Sequence, residues 1–279
     1  MIAAKEKPYE QLSPETLEFY RRVMTRMQEE RVPFLVGGAY AFARYTGIVR
    51  HTKDFDIFVH PRDFDRALEA LKGIGCTVSR PFPHWLGKGY SGEDFVDVIF
   101  SSGNGIARVD DLWFEHSLEE EVLGISARLC PAEEMIWSKG FIQERERFDG
   151  ADVAHLVRAR AEEMDWDRLL MRFGAHWQVL FGHLILFGYI YPDEADRIPA
   201  KVMEKLIERQ RRGVPSSGQR LCRGTILSRS QYLVDIEKWS YRDARLQPDG
   251  PMSAEELEIW TQAAEDEVGR SYTGVEETV

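Results

Sequence analysis

The sequence predicts an α+β head followed by an all-α C-terminal region, and three observations predict it. Up to about residue 130, short apolar runs bounded by Gly, Pro and Ser alternate with amphipathic helical patterns. From Pro131 onward the pattern becomes helix upon helix. The 279 residues are 43% apolar and 11% aromatic, enough to build a core of this size. The expected boundary separates residues 1–130 from residues 131–279.

Each element has its own signal. In "LSPETLEFYRRVMTRMQEERV", Ser13 is an N-cap and Pro14 a first helical residue, while Leu12 and Leu17 suit a hydrophobic staple. Leu17, Tyr20, Val23, Met24 and Met27 then recur at helical spacing. "PFLVGG" is a short strand ending in two glycines, and "AYAFARYTG" is a short helix that should stop at Gly47. "DFDIFVHP" is the next strand, closed by Pro61, and "RDFDRALEALKGIG" is an amphipathic helix with a glycine exit. "CTVSR", "HWLGKGYS", "DFVDVIFSS" and "VLGISARLC" read as further strands. Beyond Pro131, helices are expected over "PAEEMIWSKGFIQERERFDGADVAHLVRARAEEM", "DWDRLLMRFGAHWQVLFGHLILFGY", "PAKVMEKLIERQRRG" and "SRSQYLVDIEKW". The last, "SAEELEIWTQAAEDEVGR", is acidic and reads as largely solvated.

Composition removes several function classes. The formal net charge of −11 argues against a general nucleic-acid coat protein, because it repels a phosphate backbone. Cys76, Cys130 and Cys222 form no close cluster, so neither a disulfide framework nor a zinc site is expected, and a reducing, cytoplasmic setting fits. The start "MIAAKEKPYEQ" has no secretory pattern. The apolar stretch 177–192 is short for a bilayer and carries His183, so it reads as a buried helix and no membrane partner is expected.

Three features carry chemistry. Gly37 and Gly38, between a strand and a helix, let backbone N–H groups approach a phosphate at a helix N-terminus, although taken alone the pair is more simply a tight turn. Asp54 and Asp56 share one face of their strand, while Phe55, Ile57 and Val59 take the other. Carboxylates about 7 Å apart along a strand repel, so a pKa rises or a cation binds between them. Hard oxygen ligands suit Mg²⁺ or Mn²⁺. Asp97 sits in the apolar strand "DFVDVIF", where a carboxylate needs either a metal or a basic partner such as Arg44 or Arg50.

Together, "VGGAYAFARYTGIVRHTKDFDIFV" and "FVDVIF" resemble the nucleotidyltransferase superfamily with the polymerase-β-like fold, whose signature is a GG or GS turn, a helix, a DxD strand and a third acid on a later strand. The segment "CPAEEMIWSKGFIQERERFDGADVAHLV" is similar to the bacterial branch related to abortive-infection-type nucleotidyltransferases, with Lys139, Arg147, Asp149 and Asp152 in corresponding places. The resemblance implies transfer of a nucleoside monophosphate from an NTP to a hydroxyl acceptor, with release of pyrophosphate. It implies that Asp54, Asp56 and Asp97 hold Mg²⁺ or Mn²⁺, that Asp97 also acts as base, and that Gly37 and Gly38 hold phosphates. Arg50, Thr52 and Lys139 are expected to contact the nucleotide; for Lys53, surface solvation is the simpler reading. The acceptor is left open among a small molecule, an RNA and a protein. The alternative is a non-catalytic nucleotide- or partner-binding module of toxin–antitoxin type.

The remaining candidates have simpler explanations. His176 and His183 read as core histidines, and "ERERFDGAD" as a charged turn. Arg209, Arg211, Arg212, Arg220 and Arg223 form the densest basic stretch, more simply a loop with helix-end arginines than an acceptor groove.

Overall fold

Ser13 opens the first helix as its side chain allows: the hydroxyl accepts a hydrogen bond from the Thr16 N–H, and α1 runs Pro14–Glu29. Phe19, Tyr20, Val23, Met24 and Met27 are buried along it, and Leu12 and Leu17 pack at the edge of the same core. The computed structural model describes residues 12–50, 52, 54–213, 218 and 220–273, with side chains to residue 263.

Three elements follow in quick succession: β1 (Leu35–Val36), α2 (Gly38–Thr46) and β2 (Asp54–Phe58). Gly47 ends α2 in the left-handed conformation, with φ of 72°. Next come α3 (Phe64–Gly73), β3 (Thr77–Phe82), β4 (Leu86–Ser91), β5 (Asp94–Ile99) and α4 (Asp111–Glu115). The expected strand over "VLGISARLC" is one arm of a hairpin, β6 (Leu118–Val122) with β7 (Ile125–Leu129), turning at Leu123 and Gly124. Glu119, Glu120 and Glu121 hide β6 from a hydrophobic pattern. Such charge suits it, because β6 is an edge of the sheet.

The seven strands lie in the order β3-β4-β5-β2-β1-β7-β6. The β2–β5 and β1–β7 pairs are parallel, and the others are antiparallel. The parallel β2–β5 pair is what positions the site.

The helical part comprises α5 (Ala132–Gly140), α6 (Gly150–Arg160), α7 (Trp166–Phe173), α8 (Trp177–Ile190) and α9 (Ala200–Arg212). After it come β8 (Leu221–Cys222), α10 (Gly224–Leu227), α11 (Leu233–Glu237), β9 (Arg242–Asp243) and α12 (Ala254–Thr273). The parallel β8–β9 ladder is a departure from an all-helical tail. A second departure is α12, whose Trp260 ring meets Phe82 and Trp85 with centroids 5.0 and 5.6 Å away. An acidic sequence therefore still carries one aromatic anchor onto the β3–β4 hairpin. His183 is the satisfied core histidine expected, its Nε2 2.8 Å from the Gly140 carbonyl oxygen. The three cysteines are free and buried. No described helix is long and apolar enough to cross a membrane.

Glu134 of α5 is fully buried, and burial raises its pKa. Two guanidinium groups of α7 surround it: Arg168 Nη1 at 2.6 Å and Arg172 Nε at 2.9 Å. Arg172 also donates to both Asp110 oxygens, at 2.6 and 2.8 Å, and Asp110 caps α4. One network thus ties α5 and α7 to the start of α4. Breaking a buried network leaves uncompensated charge and costs about 3 kcal/mol. Glu134→Gln should therefore lower the thermal midpoint by roughly 6–12 °C. A loss below about 1 kcal/mol in chemical denaturation would show the network to be dispensable.

Candidate active site

Alternation along β2 separates core from chemistry. Phe55, Ile57 and Val59 are fully buried on one face, while Asp54 is exposed and Asp56 half-buried on the other. In the parallel ladder, Asp56 is the register partner of Asp97. The three acids expected to converge are therefore on neighbouring strands and one face. Like charges placed opposite one another in a sheet repel.

The glycine turn closes over this pair. The Gly37 N–H donates to the Asp56 carbonyl oxygen at 2.9 Å. Gly38 begins α2 with φ of 54°, and a Cβ there would lie 1.8 Å from Asp56 Oδ2. Glycine is needed for both reasons: left-handed backbone and close approach of a carboxylate. The tight turn and the cradle are one structure.

Asp56 responds to these surroundings. Burial, then the charges of Asp97 and Asp54, push its carboxyl up to about 7, against the opposing pull of Lys139 and Lys88. Burial also raises the Asp97 carboxyl, with Lys88 opposing it.

The partner of Asp97 differs from the arginines the sequence suggested. Arg44 pairs with Glu120 and Arg50 with Asp152. It is Lys88, the register partner of Asp97 on β4, whose Nζ lies 2.6 Å from Asp97 Oδ1. The signal for it was available in "GKG": a lone cation between two glycines on a strand otherwise turned to the core. What the sequence lacked was the strand order that makes β4 and β5 neighbours.

A second charged cluster stands beside the first. Lys139 Nζ lies 2.9 Å from Asp149 Oδ2 and 2.7 Å from Asp152 Oδ2. Arg50 Nη2 lies 2.5 Å from Asp152 Oδ1, and its guanidinium covers the Phe42 ring at 4.4 Å. Arg147 Nε donates to Asp149 Oδ1 at 3.0 Å. Burial pushes both carboxyls up. The cations outweigh it, Arg147 and Lys139 at Asp149, Arg50 and Lys139 at Asp152, and hold both below the usual range. Arg145, Glu146 and Arg147 of the charged turn are exposed, and Asp149 at its end is buried. Thr52 stands just before β2, its Oγ1 accepting from the Asp54 N–H at 3.0 Å. Lys53 and His51 lie outside the described residues.

The donor chemistry fits a hard divalent cation: the Asp54, Asp56 and Asp97 carboxyls lie on one face of neighbouring strands. Among the described residues, no three His, Cys, Asp or Glu side chains stand gathered as a ready ligand set. One Asp97 oxygen is taken by Lys88.

No family model matches the chain, and no curated protein does. Its structure is similar to several solved ones. One is the antibiotic-resistance factor ANT(2'')-Ia, at 14% identity over 61% of this chain and 96% of that one, with a TM-score of 0.44. Another is the lincosamide antibiotic adenylyltransferase LnuA, at 16% identity over 52% and 96%, with a TM-score of 0.37. A third is an antigenic nucleotidyltransferase-like protein from Paracoccidioides brasiliensis, at 16% identity over 67% and 93%, with a TM-score of 0.44. Identities and TM-scores this low say nothing of what this chain does, and its chemistry rests on its own residues.

A carboxyl whose folded pKa lies above its unfolded value, 3.8 here, holds its proton more tightly in the folded chain. Without metal, Asp56 therefore costs stability as pH rises from about 4 to about 7. Asp56→Asn removes that cost. We expect it to melt like the parent near pH 4 and to be more stable by roughly 2 kcal/mol at pH 8 in the presence of a chelator. A pH-independent difference in denaturant midpoint would contradict the assigned environment.

Proposed function

We propose that the protein is a nucleotidyltransferase dependent on Mg²⁺ or Mn²⁺, moving a nucleoside monophosphate from an NTP to a hydroxyl acceptor. The observation that carries this reading is the register pairing of Asp56 with Asp97, with the Asp56 carboxylate set against Gly38. Three acids on one face beside a glycine turn form a site for a cation and a phosphate chain together.

The residues divide the work. Asp54 and Asp56, with Asp97, would hold the cation. When bound, it would supply positive charge to the phosphates and lower the pKa of the acceptor hydroxyl. Asp97 takes the acceptor's proton. A bond forms from the acceptor oxygen to the α-phosphorus, the bond from that phosphorus to the α,β-bridging oxygen breaks, and pyrophosphate leaves. Gly37 and Gly38 bring the N-terminus of α2 to the β,γ-phosphates. Lys139 supplies positive charge, positioned by Asp149 and Asp152, and Arg50 adds to it from the loop before β2. Positioning and charge carry the rate in such transfers. The NTP lies between a head of residues 1–130 and the helices of residues 131–279. Lys139, Arg147, Asp149 and Asp152 support placing the chain in the branch related to abortive-infection-type enzymes. The acceptor is a small molecule, an RNA end or a protein side chain. The buried free thiols suit a reducing, cytoplasmic setting.

The test uses each α-labelled NTP with Mg²⁺ or Mn²⁺ and a cell extract as the source of acceptor. The parent protein should label one product. Asp54→Ala and Asp97→Ala should abolish labelling while still melting cooperatively, and labelling that survives Asp54→Ala would refute the assignment. Gly38→Ala and Gly47→Ala separate backbone strain from site geometry. Both positions have positive φ, but only at Gly38 does a Cβ meet Asp56. Gly47→Ala should cost about 1 kcal/mol and keep transfer. Gly38→Ala should lose transfer because the carboxylate must move aside.

A further inference from the structure

Lys88 touches the acid cluster, and the mechanism above does not use it. Its Nζ lies 2.6 Å from Asp97 Oδ1 and 4.2 Å from the centroid of the Phe95 ring. The β4–β5 ladder sets Lys88 opposite Asp97. The glycines on either side keep it there. A Cβ at Gly87 would lie 2.8 Å from Phe64 Cζ, and one at Gly89 would lie 2.7 Å from Leu71 Cδ1. Strand β4 is thus seated tightly on α3, and Lys88 projects from the opposite face toward the acids. The backbone is fixed, while the four-carbon stem leaves the ammonium free to swing.

An oxygen that accepts from an ammonium at this distance is not open to a cation that needs it at about 2.1 Å. One positive charge against three carboxylates also leaves the face negative, so a divalent ion is still attracted. We propose that Lys88 is a built-in competitor of the divalent ion: its ammonium holds Asp97 in the ion-free protein and releases that carboxylate when the ion binds. This rests on the metal-dependent reading given above. Lys88 acts through Asp97 and is a positioning residue. It holds the third acid in place before the ion arrives, and ion affinity carries the cost of breaking the pair.

The test is a calorimetric titration with MnCl₂, without nucleotide, of the parent, Lys88→Met, Lys88→Arg, Asp97→Ala and the Lys88→Met/Asp97→Ala double variant. Methionine keeps an unbranched apolar side chain there and removes the charge. Lys88→Met should bind Mn²⁺ roughly fivefold more tightly, the upper range for a partly exposed ion pair. Lys88→Arg should bind like the parent. In the Asp97→Ala background, the gain from Lys88→Met should shrink to less than roughly twofold, because the coupling runs through Asp97. With chelator, Lys88→Met should melt below the parent, and Mn²⁺ should raise its midpoint by more than it raises the parent's. Equal or weaker binding by Lys88→Met overturns the proposal, as does a fivefold gain that persists without Asp97. If the parent binds Mn²⁺ and Lys88→Met changes nothing, only the role of Lys88 fails. If neither binds, the metal-dependent reading fails with it.

Discussion

The parallel pairing of β2 with β5 sets two carboxylates opposite each other on one face of the sheet, and that repulsion governs much of what surrounds them. Like charges in register cost stability in a ladder. Here the cost is shared out. Lys88 engages Asp97, Lys139 pulls on Asp56 from the helical side, and Asp54 stays exposed to water. Burial, with this repulsion added to it, pushes the Asp56 carboxyl up to about 7. In the proposed reading a multivalent cation would offset what remains.

Around this centre the cations are themselves held. Asp149 and Asp152 clamp Lys139, and Asp152 also engages Arg50. Asp149 immediately precedes α6, and Lys139 lies near the end of α5. Both helices belong to the region that follows the sheet. Long cationic side chains lose much entropy when fixed, so a buried carboxylate partner is an economical way to pre-place them. The Glu134–Arg168–Arg172–Asp110 network secures α5 to α7 and to the start of α4. Its members touch none of the three acids, yet the position of Lys139 depends on α5 lying where this network puts it.

Much of this was legible in residue order. Ser13 and Pro14 mark the start of α1, Gly47 the end of α2, and the alternation in "DFDIFV" divides acids from core. These are local matters: capping geometry, backbone dihedrals and side-chain period act over a few residues, and the sequence shows them directly. β6 was not legible, because three glutamates on an edge strand erase the hydrophobic pattern by which strands are recognised. Trp260 was hidden in a similar way, as one aromatic in an acidic helix whose partners on the β3–β4 hairpin lie far back in the chain.

The sequence by itself determined the start of α1, the end of α2, the glycine turn and the shared face of Asp54 and Asp56, since capping, strand period and steric limits leave little choice there. Only the tertiary structure decided that Asp97 faces Asp56, that Lys88 and not an arginine answers it, and that Lys139 is held by Asp149 and Asp152. Strand order and helix docking are set by burial of the whole core. Which charges become neighbours follows from that global packing, and no local spacing encodes it.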